Sequence, residues 1–338
     1  MSNLVKLPPF KVKHVVPALT QTIGWGIRDL KVPDTWCMTR GKGITVMVID
    51  TGFIDHHDLE GAMNRELSKS FLANEPDITD FNGHSAHCCG IIGARDNHVG
   101  MVGVAPECTI VTVKVLGKDG FGDTRAVNNA LRYAVQIKPD VVSMSLGSPV
   151  YDREQHELIK KLHAMNIPVV AAAGNSGRAD DVHYPAKYPE TIAVTAFDAK
   201  GRPARFNSTG STVDLSAPGV DIYSTYLNQS YASLSGTSMA TPFIAGLIAL
   251  LLAKHKKQEA ETGKNDCKTV PEIKEHLVKY ADNKGVVGRD DIWGYGVVDP
   301  VKMIRALKDH SYTEPVVPNI KKRKTWWERF RALFQRGR

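Results

Sequence analysis

The stretch Ser235-Gly236-Thr237-Ser238-Met239-Ala240-Thr241-Pro242, followed by the apolar run 243–253, decides how this chain is interpreted. A serine that acts as a nucleophile needs an exposed tip and a rigid base, and a small-residue turn that leads into a buried helix supplies both. We expect a helix that begins near Ser238, with its unpaired N–H groups and positive dipole end beside the hydroxyl. Gly236 would allow a tight turn, and Pro242 would fall in the first helical turn, where proline costs little. A capped core helix without chemistry is the alternative for this stretch alone.

The composition is that of a globular protein. The chain has 338 residues, of which 42% are apolar, so it can bury a sizeable core. The first residues show no charged segment followed by a long apolar one, so we predict no signal peptide. The longest apolar stretch, 239–253, is shorter than the roughly 18 residues that span a bilayer, and we expect it to be a buried core helix. Five cysteines without metal-ligand spacing argue against a disulfide framework and favour a reducing, cytoplasmic location.

Short apolar segments along the chain predict parallel strands. Residues 43–52 form a β-branched run that ends in Asp50, as a buried parallel strand does when it delivers a carboxylate to the edge of a sheet. A turn aspartate that caps the next segment is the alternative for Asp50 alone. Further strands are predicted at 109–116, 141–146, 167–173 and 191–196, with helices over 124–136 and 153–165. This alternation predicts an α/β fold with three layers, a mainly parallel central sheet and helices on both faces.

Between the first two strands lies Asn82-Gly83-His84-Ser85-Ala86-His87-Cys88-Cys89-Gly90. Small residues before an apolar run suit a helix N-terminus that presents His84 outward and places His87 beneath it. Ordinary surface or core histidines are the alternative. A zinc site made by His84 and His87 is disfavoured, because no third ligand stands at a supporting spacing.

Asp50, His84 and Ser238 occur in this order, each in a glycine-containing turn at the end of an apolar element. With the motifs VIDTG, NGHSAHCCG and GTSMATP around them, the sequence resembles the subtilisin-type serine proteases over about residues 21–304. The resemblance implies that Ser238 attacks the scissile carbonyl, His84 transfers the proton and Asp50 orients His84. It also implies that the Asn175 side chain and the Ser238 N–H stabilise the oxyanion.

The resemblance further implies how peptides bind. Two extended edges would pair with the substrate backbone by β-strand addition. They are Ser145, Leu146 and Gly147 on one side and Gly120, Phe121 and Gly122 on the other. His183 stands where the family has a small residue at the base of the main specificity pocket, so a deep, broad pocket is not expected.

A thiol and a calcium site are implied as well. Cys88 occupies the position of the cysteine in the thiol-containing subtilases, which implies sensitivity to mercurials; two small core residues, Cys88 and Cys89, are the alternative. The calcium ligands would be the side chains of Gln21, Asp58 and Asn97 and the main-chain carbonyls of Arg95, Val99 and Met101. All-oxygen ligands suit Ca²⁺, although a plain turn would look similar in sequence.

The two ends of the chain fall outside the catalytic motifs. Leu7-Pro8-Pro9-Phe10 resembles the short N-terminal motif of the intracellular subtilisins. We therefore predict an N-terminal extension at 1–20, which is extended and inhibitory, and a peptidase domain at 21–310. A disordered terminus is the alternative for the extension.

Residues 311–338 are predicted to be a linker and a basic amphipathic tail. From Pro315 the tail carries eight Lys and Arg residues against one Glu, which accounts for the whole net charge of +7. An apolar helical face flanked by cations can lie on an anionic membrane or dock into a protein partner. Packing on the catalytic domain or across a homodimer is weighed equally, and nucleic acid is least favoured. The apolar face consists of Trp326, Phe330, Leu333 and Phe334.

Taken together, the sequence predicts an intracellular, calcium-stabilised serine endopeptidase that cleaves proteins and peptides through an acyl-enzyme and is processed at its N-terminus. An inactive protease that serves as a binding scaffold is the rival from another class, and four intact catalytic positions argue against it. An esterase is disfavoured because the GxSxG elbow is absent and the order Asp, His, Ser is wrong for that class.

Overall fold

A computed structural model of the chain describes residues 4–16, 20–73, 75–263 and 267–306. The described residues all fall in one compact unit that ends at Leu307. The predicted basic tail, 311–338, lies outside the described residues. The strands are β1 Leu4–Lys6, β2 Lys11–Val16, β3 Thr45–Asp50, β4 Lys69–Ser70, β5 Thr109–Lys114, β6 Phe121–Asp123, β7 Val141–Met144, β8 Val169–Ala172, β9 Thr191–Phe197, β10 Leu215–Pro218, β11 Ile222–Tyr226, β12 Ser230–Ser235, β13 Ala281–Asp282 and β14 Val297–Val298. The α-helices are α1 Trp25–Asp29, α2 His84–Gly93, α3 Thr124–Ile137, α4 Arg153–Ala164, α5 Thr237–Thr262, α6 Val270–Lys279 and α7 Pro300–Arg305.

The central sheet has seven strands in the order β10-β9-β8-β7-β3-β5-β4. Every neighbouring pair in it is parallel, which confirms the predicted α/β class. The five strands predicted from apolar runs are β3, β5, β7, β8 and β9, each within two residues of its predicted ends. β3 is an interior strand of the sheet. Asp50, at its C-terminal end, therefore lies among the C-terminal ends of the other parallel strands.

Helices cover both faces of this sheet, as predicted. Along β3, Val46 and Val48 pack with the helices α2 and α5, while Met47 and Ile49 pack with α3 and α4. Alternate residues of a strand point to opposite faces, so one short apolar run contributes to both cores. All four side chains are at most 1% exposed.

Helix α5 runs through the first of these cores. Among the described residues it is the one helix long and apolar enough to cross a membrane, yet 94% of its apolar window is buried inside the fold. It is therefore a core helix, as predicted. Placing Pro242 in the first turn was wrong, because α5 begins at Thr237 and the proline lies in the second turn.

The proline has a local consequence for the site. Pro242 has no N–H to donate to the carbonyl of Ser238, four residues earlier. Two side chains from other elements donate to that carbonyl instead: the Ser145 hydroxyl at 2.9 Å and the Cys88 thiol at 3.5 Å. The start of α5 is thus fastened to the end of β7 and to α2.

The N-terminal segment adds strands to two other sheets. β1 pairs antiparallel with β6, and β2 pairs antiparallel with β12, which itself pairs with β11. An extended segment was expected here, but strands were not predicted, because the residues show no period-2 pattern of their own. The pairing partners are β6 and β12, which lie far away in the chain and which the local sequence of the segment does not reveal.

Candidate active site

Asp50 and His84 meet at the C-terminal ends of the central strands. Asp50 is the last residue of β3 and His84 is the first residue of α2. The His84 Nδ1 atom lies 2.8 Å from Asp50 Oδ1 and 3.0 Å from Oδ2, and both side chains are fully buried. A carboxylate at this nitrogen holds the ring so that Nε2 is available as a proton acceptor.

Asp80 fixes the start of α2, and sequence reasoning missed this role. Its carboxylate accepts hydrogen bonds from the N–H groups of Asn82, Gly83 and Ala86, each at 2.9 Å, and from the Thr51 hydroxyl. Burial raises the pKa of Asp80, and these backbone N–H groups oppose that shift. An aspartate just before Asn-Gly and a helix is a turn and capping signal that could have indicated this role.

Asn175 and Ser238 lie beside the histidine. The Asn175 Oδ1 atom accepts from the Thr237 N–H at 3.0 Å and from its hydroxyl at 2.8 Å, which aims the Nδ2 group into the cleft. The chain bends at Gly236, as predicted, but with an ordinary extended φ of 168°, so the bend itself does not require glycine. A Cβ at Gly236 would lie 2.9 Å from Asn175 Nδ2, so a larger residue would displace the amide group that reaches into the cleft.

The N-terminal segment occupies the cleft. Asn175 Nδ2 donates to the Pro9 carbonyl at 2.8 Å, and the Phe10 ring lies 5.1 Å from the His84 ring. His84 is therefore buried, and the expectation that it faces outward was wrong for the covered cleft. The Ser238 hydroxyl donates to the Ser145 carbonyl at 3.3 Å, and His84 Nε2 has no hydrogen-bond partner within the described residues.

The two predicted substrate-binding edges flank β1. Lys6 and Gly147 exchange backbone hydrogen bonds of 3.2 and 3.1 Å, and the Leu7 N–H donates to the Gly120 carbonyl at 3.0 Å. On the second edge Val5 lies opposite Gly122 and Lys6 lies opposite Phe121. The first edge, with Ser145 and Leu146, directly follows β7. The segment is thus bound as an added strand between both edges.

A cavity of about 400 Å³ opens beside the Asn175 side chain. His183 lines it and lies 4.0 Å from the Asp181 carboxylate. Burial lowers the pKa of His183, which favours a neutral imidazole in this cavity. The cavity is lined by Lys6, Pro8, Pro9, Pro149, Asn175, Ser176, Arg178, Asp181 and His183.

Cys88 lies one helical turn after His84, and its Sγ atom is 3.9 Å from His84 Nδ1. Burial raises the pKa of the Cys88 thiol well above its ordinary value. One ligand atom each of Asp50, His84 and Cys88 lies within 4.8 Å of the others, so a soft metal ion that enters would meet three donors.

The predicted calcium ligands surround the loop 95–101. Asp58 is fully buried; its Oδ2 atom accepts from the Met101 N–H at 2.7 Å, whereas Oδ1 has no partner within the described residues. Gln21 Oε1 accepts from the His98 N–H, and Asn97 Oδ1 accepts from the Val99 N–H.

The carbonyls of the same loop fall into two sets. Those of His98 and Gly100 accept hydrogen bonds from the backbone N–H groups of Gln21 and Thr22. Within the described residues, the second set accepts no hydrogen bonds. This set consists of the carbonyls of Arg95, Val99 and Met101. A buried carboxylate oxygen without a donor and a set of free carbonyls are oxygen donors of the kind that Ca²⁺ prefers.

Comparison with known proteins agrees with this geometry. Residues 41–296 match the family model of the subtilase family. The chain belongs to the subtilase family. It is 40% identical to the intracellular serine protease of Paenibacillus polymyxa over 286 residues, which cover 82% of this chain and 86% of that protein. It is 38% identical to subtilisin BL of Lederbergia lenta over 280 residues, which cover 82% of this chain and 97% of that protein.

A longer relative matches as well. Minor extracellular protease Epr of Bacillus subtilis is 37% identical over 275 residues, and the match spans 81% of this chain but 40% of Epr. The family match and these relatives confirm the predicted class of enzyme: the chain is a subtilisin-like serine endopeptidase.

His87 predicts a pH-dependent stability. Its Nε2 atom lies 2.9 Å from the Ile222 carbonyl and 3.1 Å from the Ala232 carbonyl, and burial lowers the pKa of His87 from 6.5 to about 3. Below pH 6.5 the unfolded state therefore takes up a proton that the folded state does not bind. The free energy of unfolding should fall by about 1.4 kcal/mol per pH unit from this group as the pH is lowered towards 4.

Urea unfolding at pH 7.5, 6 and 5 measures this slope, with Ser238→Ala protein used to prevent self-digestion. The matched variant Ser238→Ala/His87→Gln keeps an N–H donor for the two carbonyls but cannot be protonated. Between pH 6 and 5 its slope should be shallower by about 1.2 kcal/mol per pH unit, with a smaller difference between pH 7.5 and 6. Equal slopes for the two proteins would contradict the assignment.

Cys88 predicts inhibition by mercuric chloride, because a thiol, an imidazole and a carboxylate converge there. The Cys88→Ala variant keeps the shorter Ser145 hydrogen bond to the Ser238 carbonyl, so it should retain most of its activity and lose the inhibition. Cys37→Ala, which changes an exposed cysteine, should remain sensitive. Peptidase assays titrated with mercuric chloride provide the measurement. Undiminished inhibition of Cys88→Ala would assign the effect to another group.

Proposed function

We propose that Asp50, His84 and Ser238 are the catalytic triad of this endopeptidase and that Asn175 donates to the oxyanion. The observation that carries the proposal is a hydrogen bond of 2.8 Å from Asn175 Nδ2 to a peptide carbonyl. It lies next to His84, whose ring is held by the buried carboxylate of Asp50. Removal of the Asn175 donor is expected to slow turnover by about 10²–10³, a figure that was established on a subtilisin.

In the proposed reaction the Ser238 hydroxyl attacks the scissile carbonyl and its proton passes to His84 Nε2. Asp50 stabilises the imidazolium, and the Asn175 Nδ2 group and the Ser238 N–H hold the oxyanion. Collapse of the tetrahedral intermediate breaks the C–N bond, and His84 gives its proton to the leaving amine. Water, deprotonated by His84, then hydrolyses the acyl-enzyme and restores the Ser238 hydroxyl.

For substrate binding we propose the same two edges that hold β1. A substrate strand would pair with Ser145, Leu146 and Gly147 and with Gly120, Phe121 and Gly122, and His183 would contact the side chain that enters the adjoining cavity. Support comes from the backbone hydrogen bonds that Lys6 and Leu7 already make to these edges.

We propose that the N-terminal extension inhibits the enzyme and that Pro8 is central to the inhibition. Lys6 lies opposite Gly147, so in the same antiparallel register Pro8 lies opposite Ser145. Proline has no N–H to donate to the Ser145 carbonyl. That carbonyl accepts the Ser238 hydroxyl instead, which keeps the hydroxyl from donating to His84. A substrate with an N–H at this position would release the serine.

A calcium site at Gln21, Asp58, Asn97 and the carbonyls of Arg95, Val99 and Met101 is part of the proposal. The unpartnered Asp58 Oδ1 atom and the free carbonyls support it, and the bound ion would tie the loop 95–101 to the rest of the fold. We place the enzyme in the cytoplasm, on its likeness to a protein named intracellular serine protease. Membrane, partner and homodimer roles of the tail stay predictions, since the tail lies outside the described residues.

The proposed function predicts a clear set of activities. Wild-type protein that has lost its extension should cleave casein, Ser238→Ala should not, and Asn175→Ala should lower kcat by about 10²–10³. Steady-state assays with casein and one defined peptide measure this. If the wild type and a chain without residues 2–18 both fail to cleave, the inactive-scaffold alternative replaces the proposal.

The inhibitory role of Pro8 predicts faster processing when it is replaced. Pro8→Ala restores one backbone donor, worth about 0.5–1.5 kcal/mol, so loss of the extension should accelerate about two- to tenfold. Mass spectrometry of purified protein over time measures the cut. The same substitution in Ser238→Ala protein is the control and should remain uncut; an unchanged rate in active protein would speak against Pro8.

The calcium proposal predicts that chelation destabilises the protein. Free Ca²⁺ at about 100 times the Kd should stabilise the fold by about 2.7 kcal/mol, and EDTA should remove that increment. Thermal unfolding of Ser238→Ala protein with and without Ca²⁺ measures it. Adding Asp58→Asn should abolish the calcium response, whereas Asp29→Asn, at an exposed carboxylate of α1, should not; a response that survives Asp58→Asn would locate the ion elsewhere.

A further inference from the structure

The extension does not stop at the catalytic residues. Beyond Phe10 the chain continues as β2, which pairs along the edge strand β12 with Lys11 opposite Ser235 and Val16 opposite Tyr231. β12 pairs with β11 on its other side, so removal of β2 would leave a row of unpaired N–H and C=O groups beside the site. Such an edge is a template for another strand.

The direction of β2 defines what that strand would be. The peptide carbonyl held by Asn175 belongs to Pro9, so Phe10 is the first residue on the leaving-group side of the presented bond. Lys13 is then the fourth residue after that bond, and it lies opposite Ser233 in the ladder with β12. β12 is therefore positioned to bind the residues that follow the cleaved bond.

One charged contact distinguishes this surface. The Lys13 Nζ atom lies 2.7 Å from Asp221 Oδ1, and the two side chains are 50% and 48% exposed. The carboxylate is held in place, because the Ser235 hydroxyl donates to Oδ1 at 3.2 Å and accepts from the Asp221 N–H at 2.8 Å. Asp221 has a φ of +52°, a conformation that Asp and Asn adopt more readily than most residues.

From these contacts we propose that Asp221 is a specificity-determining residue, which selects a cationic side chain four residues beyond the cleaved bond while β12 pairs with the substrate backbone. The proposal rests on the proposed peptidase mechanism at Ser238. Lys13 occupies the place of the substrate cation in the covered enzyme, and a basic peptide segment is the partner that this carboxylate fits.

The expected size of the effect follows from exposure. An ion pair between half-exposed side chains has a small effect, so a lysine at the fourth position should raise kcat/KM about 1.4- to fivefold over glutamine. Salt should narrow the preference, because exposed charges are screened.

The test uses the full chain and two competing peptides. One peptide has the sequence of residues 4–16 with alanine in place of Pro8 and Pro9, and the other carries Lys13→Gln as well. Both are mixed in one reaction, and mass spectrometry gives the cut position and the ratio of the two kcat/KM values. This ratio does not depend on how much enzyme the extension still blocks.

Wild type should prefer the lysine peptide about 1.4- to fivefold. Asp221→Asn, which suits the same backbone conformation, should bring the ratio to about one, and Asp221→Lys should favour a third peptide with Lys13→Glu. Asp282→Asn is the matched control, since Asp282 is 55% exposed and pairs with Lys302, and it should leave the ratio unchanged.

A ratio of one in wild type, or a lysine preference that survives Asp221→Asn, would overturn the proposal while cleavage itself proceeds. The proposal can be tested even if a variant fails to fold, because the wild-type ratio and its salt dependence are measured independently of any substitution. If neither the full chain nor protein that has lost its extension cuts any of the peptides, the peptidase mechanism fails, and this inference fails with it.

Discussion

The hydrogen bond between Asp50 and His84 ties the last residue of a central strand to the first residue of a helix. The histidine can serve the site only because α2 begins at that point, and Asp80 sets that beginning by accepting three backbone N–H groups. The start of α5 is fastened to the same region through the Ser238 carbonyl, which Pro242 leaves open to Ser145 and Cys88. The geometry of the candidate site is set by where two helices start.

The same reasoning explains which parts of the structure sequence could predict. The strand before Asp50 and the helix after Ser238 follow from apolar runs, because burial on a sheet or in a core imposes a pattern on the residues themselves. The order Asp50, His84, Ser238 and the motifs around these residues indicated the family. These features are local or repeat a motif, so a single sequence reveals them.

Other features depend on partners far away in the chain. The strands of the extension were not predicted, since their pairing is supplied by the edges of the domain. Gly236 was explained by the bend alone: its φ is ordinary, and a larger residue there would displace the distant Asn175 side chain.

The way the extension is attached has a consequence for how the enzyme would be released. An occupant on the same chain acts at an effective concentration set by its tether, so dilution does not activate the protein. A cut between Pro9 and Phe10 would remove the tether from the N-terminal part of the extension alone. The part that includes β1 becomes a separate peptide that dilution removes, whereas β2 stays tethered. Release of β1 would then depend on the concentration of the cut peptide, whereas release of the tethered β2 would not.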